Sequence, residues 1–194
     1  MDNLYDTLIA DYASKGVRKE VQRIDKEADV HNRLCGDHAH IKLMIKDNKP
    51  YLVEYNVRMG DPECQTILPL LHSDFLELIL SCCEERLENQ IIEWKNKKSI
   101  CIVLCSNGYP ENYRKNIEIP NLNTIANDDK SFIYHAGTSL VGRKFYAIGG
   151  RVLNFVSISE NLKNSRDNVI NKIDSLNWKN GFYRKDIGYK IIDK

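Results

Sequence analysis

The run VEYNVRMGDPECQ, residues 53–65, holds the side chains with the most chemical promise. In an extended strand side chains alternate with period two, so Glu54, Asn56 and Arg58 share one face and Val53, Tyr55 and Val57 the other. A carboxylate and an amide oxygen one alternation apart can ligate a hard divalent cation such as magnesium, which takes one or two oxygens from protein and leaves the rest to substrate phosphates and water. Arg58, next on that face, offers a planar fork suited to a carboxylate or a phosphoryl oxygen. Such a row suits phosphoryl transfer, where positioning and charge stabilisation dominate. The same alternation also describes a half-exposed strand with one wet face, and the residues alone leave both readings open.

The neighbouring segments say what must hold that row. HIKLMI (40–45) and PYLVEYNVR (50–58) flank KDNK, whose Asp47 and Asn48 supply turn chemistry, so a β-hairpin is predicted. Gly60 and Pro62 end the second strand. Residues 64–88 are apolar at helical spacing, with Pro69 near a first turn and Ser73 at an N-cap position, which predicts two consecutive helices. Leu71, Phe75, Leu78, Ile79, Cys82 and Leu87 are expected to form a core stripe. Composition changes at ENQIIEWKNKKS, which places a domain boundary near Ser99 and gives domains 1–98 and 99–194.

Beyond that boundary ICIVLC, FIYHAG, KFYAIGG and RVLNFVSI read as strands, the first so uniformly apolar that it should be covered on both faces. Gly149 and Gly150 read as a tight turn between strands. Over residues 160–176, Leu162, Val169, Ile170, Ile173 and Leu176 fall on one helical face, with Ser159 at the cap position. At the other end of the chain, Asp2 can cap a helix carrying Leu4, Leu8 and Tyr12 and stopping at Gly16, while the charged segment 17–33 fits a solvated helix or a connection. The class expected from these elements is α+β.

Bulk composition narrows the ligands. Lys plus Arg is 28 against 27 Asp plus Glu, so no global field recruits nucleic acid or an anionic membrane, and any anionic ligand must be held locally. The longest apolar run, near Phe75–Cys83, contains Glu77 and is too short to span a bilayer, and the first residues lack a signal-peptide pattern; a soluble, cytoplasmic protein is expected. Six cysteines, at 35, 64, 82, 83, 101 and 105, include no C-x-x-C pair, which suits reduced thiols. Cys35, His38 and His40 beside Asp37 could take zinc, although no second ligand pair with recognisable spacing accompanies them. His135 fits either a substrate contact or a satisfied loop histidine.

Taken whole, EYNVRMGDPECQTI resembles the signature of the phosphoribosylamine–glycine ligases, ATP-grasp enzymes of purine biosynthesis, with the Arg-x-Gly-Asp-Pro-Glu-x-Gln core present as Arg58, Gly60, Asp61, Pro62, Glu63 and Gln65. The resemblance continues through LLHSDFLEL, GYPENYRK, YHAGT, GGRVLN and FYRKDIGY, and covers roughly residues 43–194. It implies the C-terminal half of an ATP-grasp unit, hairpin plus helices, followed by a small antiparallel β-domain with one packed helix. It further implies ATP as co-substrate, glycine and phosphoribosylamine as substrates, and Mg2+ or Mn2+ held by Glu54 and Asn56. Arg58 and Asp61 would be catalytic, with Asp61 and Glu63 either orienting the amine or shaping the loop. Arg184 and Lys185 would clamp the substrate phosphate, or else form a surface basic pair beside Asp186. Two departures stand out. The upstream regions that complete the family's nucleotide clamp have no counterpart here, so a separately encoded polypeptide completing the fold is an expected partner, a non-catalytic remnant being the alternative. Where the family has a small, apolar strand, this chain reads HAHIKLM, with His38, His40 and Lys42.

Overall fold

The computed structural model describes residues 40–47, 49–56, 59–125 and 128–192. The chain divides into two compact units at Gly60–Asp61. In the first, strands β1 (His40–Lys46) and β2 (Lys49–Asn56) pair antiparallel, as the turn chemistry of KDNK predicts. Asp47 carries a positive φ of 50°, a left-handed conformation that Asp tolerates better than most residues. Residues 61–98, grouped with the hairpin when composition alone is considered, lie within the second unit.

That unit is built on a four-stranded antiparallel sheet ordered β5 (Ser131–His135), β8 (Arg151–Ser159), β3 (Lys98–Ser106) and β9 (Gly181–Phe182). A three-stranded sheet of β4 (Ile117–Ile119), β7 (Lys144–Ala147) and β6 (Thr138–Val141) adds Ile119 and Ala147 to the same core. Helix α3 (Leu162–Ser175) packs on one face of β3 and β8. Alternation decides which side chains meet it: Ile100, Ile102 and Leu104 of β3 and Leu153 and Phe155 of β8 are all at most 5% exposed and join Val169, Ile173 and Leu176 in the core. On the opposite face the short helix α1 (Glu63–Ile67) contacts β3 and β8. The central strand is therefore covered on both sides, which accounts for its unbroken apolar run.

Two local features shape the site end of this sheet. Between Leu104 and Cys105 the β3–β8 register slips by one residue: Leu104 pairs with Leu153 but Cys105 pairs with Arg151, leaving Val152 as a bulge. Nearby, Gly137 and Gly149 cross backbone against backbone. A Cβ on Gly137 would lie 2.6 Å from both the Gly149 Cα and the Arg151 carbonyl oxygen, closer than any side chain allows.

The helix caps differ from the predicted positions. Helix α2 (Phe75–Cys83) is capped by Asp74, whose carboxylate accepts from the Glu77 N–H at 3.1 Å, while the Ser73 hydroxyl exchanges hydrogen bonds with the 91–93 backbone instead. Helix α3 is capped by Asn161, which accepts from the Asn164 N–H at 2.8 Å, and Ser159 bonds Ser165. The expected core stripe of α2 is corrected more substantially. Phe75 and Ile79 are 45% and 44% exposed, and the helix buries Ser81 instead, which accepts the Arg86 N–H through its carbonyl. Together with exposed Leu76, Ile91 and Trp94, this leaves an open apolar surface on the second unit. Among the described residues no helix is long and apolar enough to cross a membrane.

Phe155→Ala, which empties a site 1% exposed, should cost about 3–5 kcal/mol in urea unfolding, whereas Leu140→Ala on a half-exposed strand should stay within about 0.5 kcal/mol.

Candidate functional site

In the hairpin, backbone register fixes what stands opposite the oxygen-bearing positions. Asn56 pairs with His40 and Glu54 with Lys42, and the ladder then slips so that Leu43 pairs with Leu52, leaving Val53 as a bulge. The strict alternation expected from sequence is thus broken at Val53, though Glu54 and Asn56 stay one alternation apart on β2. Arg58, Cys35, His38 and the charged segment 17–33 lie outside the described residues, as does the helix expected after Asp2. Among the described residues no cluster of three or more His, Cys, Asp and Glu side chains could hold a metal ion.

In the second unit, the segment after Gly60 forms a polar cluster on the α1 face of the main sheet. Asp61 is its centre: its Oδ1 accepts from Gln65 Nε2 at 2.8 Å, and its Oδ2 lies 3.2 Å from the Arg151 guanidinium. Arg151 also donates to the Asp61 carbonyl oxygen at 3.1 Å. Both Arg151 and Asp61 side chains remain about 40% exposed (42% and 39%), so the pair is open to a ligand, and its worth lies in orientation more than in stability. Thr66 closes the turn by donating to the Pro62 carbonyl oxygen at 2.9 Å. A carboxylate fixed on both oxygens in this way is preorganised to accept a hydrogen bond from an amine or hydroxyl.

The spacing of residues along β8 gives no hint of Arg151. Counting back by twos from Phe155 and Leu153 points it into the core beneath α3, and only the Val152 bulge transfers it to the face that Cys105 shares. The thiols beneath Asp61 feel the same geometry. Burial first, then the Asp61 charge, pushes the Cys101 thiol up to about 12, partly offset by a hydrogen bond with Thr66. Burial also raises Cys105, with Arg151 pulling the other way, and raises Tyr134 with help from Cys101 and Cys64.

Arg184 and Lys185 stand apart from this cluster. Both are exposed, and the Arg184 fork is occupied by Asp186, with contacts of 3.1 and 2.7 Å. The Lys185 carbonyl accepts from Arg166. His135 Nδ1 meets the Thr138 hydroxyl at 2.8 Å, and its ring packs on Phe145 with centroids 4.9 Å apart, the arrangement of a satisfied loop histidine.

Comparison with known proteins gives this geometry a context. Residues 99–190 match the family model described as phosphoribosylglycinamide synthetase, C domain. That stretch is a phosphoribosylglycinamide synthetase C domain. It is 41% identical over 145 residues to phosphoribosylamine–glycine ligase of Caldanaerobacter subterraneus subsp. tengcongensis, covering 75% of this chain and 34% of that protein. It is 42% identical over 147 residues to the same-named protein of Fusobacterium nucleatum, again 75% and 34%. Among solved structures, phosphoribosylamine–glycine ligase from Thermotoga maritima superposes with a TM-score of 0.55 at 28% identity, over 75% of this chain and 35% of that one. The chain thus spans about a third of the length of the relatives it matches, and its mixed helix and antiparallel-sheet architecture is that of the matching region.

At pH 8, iodoacetamide should alkylate the exposed Cys82 and Cys83 within minutes while Cys101 stays unmodified, its thiolate appearing only as pH climbs toward about 12. Peptide mass mapping reads the outcome.

Proposed function

We propose that this chain supplies the C-terminal part of an ATP-dependent carboxylate–amine ligase that joins glycine to phosphoribosylamine in purine biosynthesis. The observation that carries the reading is Asp61, set in the Arg-x-Gly-Asp-Pro-Glu-x-Gln core and held on both carboxylate oxygens by Gln65 and Arg151. Finer features follow from the same reading. The hairpin and the helices up to about Ser99 are the second half of an ATP-grasp unit, followed by the small β-domain with one packed helix, a division supported by a family match that starts at residue 99. The setting is the cytoplasm, and the portion of the relatives' length that this chain does not span supplies the rest of the nucleotide clamp.

Glu54 and Asn56 would hold Mg2+ or Mn2+: a carboxylate and an amide oxygen one alternation apart are hard donors of the kind these ions take, with substrate oxygens and water filling the remaining positions. When bound, the ion offsets charge between a carboxylate and a triphosphate. Arg58 contributes a fixed positive charge toward phosphoryl oxygens. In the implied reaction the glycine carboxylate attacks the γ-phosphorus of ATP, releasing ADP and forming an acyl phosphate. The amine of phosphoribosylamine then displaces inorganic phosphate to give the amide. Asp61 accepts a hydrogen bond from that amine and aims its lone pair, which requires the carboxylate to be immobile. Arg184 and Lys185 remain the candidate phosphate clamp, which requires Arg184 to exchange Asp186 for the ligand.

A second reading, a folded remnant without activity, draws on the hairpin register. Lys42 stands opposite Glu54 and His40 opposite Asn56, so two basic residues occupy ladder positions facing those of the metal ligands.

The test is phosphate release from ATP, magnesium, glycine and phosphoribosylamine, with the chain alone and with an upstream fragment from a relative. The ligase reading expects turnover with the fragment present, a fall of about 100-fold or more in Asp61→Asn, and abolition in Glu54→Ala with an unchanged circular dichroism spectrum. Silence in both arrangements leaves the remnant reading standing.

A further inference from the structure

A cleft of about 370 Å³ opens between the loop after β3 and the turn before β9, with Asn107, Asn112, Tyr113, Arg114, Trp178 and Asn180 on its walls. None of these residues has a role in the ligase reading. The walls are tied in place. Ser106 donates its N–H to the Gly150 carbonyl at 2.8 Å and its hydroxyl to the Gly149 carbonyl at 2.9 Å. Asn107 donates its N–H to the Asn180 carbonyl at 2.9 Å and its amide Nδ2 to the Lys179 carbonyl at 3.0 Å. The loop itself turns tightly at Gly108, whose φ is +94° and where a Cβ would lie 2.0 Å from the Asn112 carbonyl oxygen.

What the cleft presents is an excess of donors. Its lining contains no Asp or Glu. Among the described residues Arg86, Arg151 and Arg184 are paired with carboxylates and Arg166 with a carbonyl, whereas the guanidinium of Arg114, like that of Arg143 elsewhere on the surface, meets no described acceptor. Among the described residues the side-chain amides of Asn112 and Asn180 and the Tyr113 hydroxyl likewise have no hydrogen-bond partner. The Trp178 indole, only 9% exposed, forms a rigid apolar part of the wall, and its Nε1–H also lacks an acceptor. One exposed cation surrounded by neutral donors suits a tetrahedral oxyanion, whose several oxygens take more hydrogen bonds than a planar carboxylate can. The volume lies at the lower end of small-metabolite pockets and exceeds what a lone phosphate needs.

We propose that this cleft binds the phosphoryl group of a small phosphorylated metabolite, with Arg114 as its charge partner and Asn112 and Asn180 as neutral donors. The site stands independently of the ligase reading, because it asks nothing of the hairpin or of Asp61.

The test is an NMR titration of the full chain with inorganic phosphate, with ribose 5-phosphate and, as the carboxylate arm, with acetate. The readouts are the Trp178 indole N–H and the Asn112 and Asn180 side-chain amides. The chain has two tryptophans, so Trp94→Phe leaves a single indole signal. Saturable shifts with both phosphates, tighter for the sugar phosphate, and at least about tenfold weaker binding in Arg114→Gln are expected, because a charge-assisted hydrogen bond is lost. Lys163→Gln, on α3, should bind as the parent does. Acetate binding as tightly as phosphate, an unchanged affinity in Arg114→Gln with a native amide spectrum, or no saturable shift at these groups would each overturn the proposal.

Discussion

The pairing of β3 with β8, and the single slip within it, is the constraint from which the rest of the second unit follows. The two strands carry large apolar side chains toward α3 and a smaller, more polar set toward α1, so the sheet is a partition between a core and the candidate site. Had the ladder run without interruption, Arg151 would share the parity of Leu153 and Phe155 and would bring a guanidinium toward the most buried side chains of the molecule. Burying that charge without a partner is prohibitive. The extra residue at Val152 resolves the conflict: valine joins the core, and arginine crosses to the wet face to meet Asp61.

Asp61 depends on this arrangement in a specific way. Gln65, four residues onward in α1, supplies a local hydrogen bond, while Arg151 supplies one from ninety residues away in the chain. A local bond alone would leave the carboxylate free to rotate with a helix of only five residues. The long-range bond ties it to the central sheet, which carries the most buried side chains of the unit. Beneath the pair, partly buried Cys101 and buried Cys105 act as small apolar packing, kept neutral by burial.

Much of this architecture was legible in the chain, because period-two and period-3.6 patterns report burial directly. The hairpin, β3, β8 and helix α3 follow from residues such as Ile100, Ile102 and Leu104 or Val169 and Ile173. What was not legible has definite physical causes. Bulges at Val53 and Val152 carry no signature in residue type, since valine serves equally in a regular strand. The strands β4 and β6 are too short for alternation to register. Caps fall one or two positions from the expected ones because Ser73 and Asp74, or Ser159 and Asn161, are both good capping residues, and the serines are engaged elsewhere, Ser73 by the 91–93 backbone and Ser159 by the Asn161 carbonyl and Ser165. The α2 stripe was misjudged because helical periodicity shows that a face is apolar without showing what covers it. For the candidate site, the family signature singles out Asp61, while its partner Arg151 is hidden by the bulge.

The crossing of Gly137 over Gly149 extends this dependence into sequence space. Neither glycine bears a functional group, yet the Arg151 carbonyl lies at the point where a methyl at position 137 would intrude. The smallest possible side chain there would push on the strand that aims the guanidinium, so drift at a chemically silent codon is transmitted to a carboxylate in another element. Inheritance of the Asp61 arrangement is therefore tied to the absence of two carbon atoms as firmly as to the charges themselves.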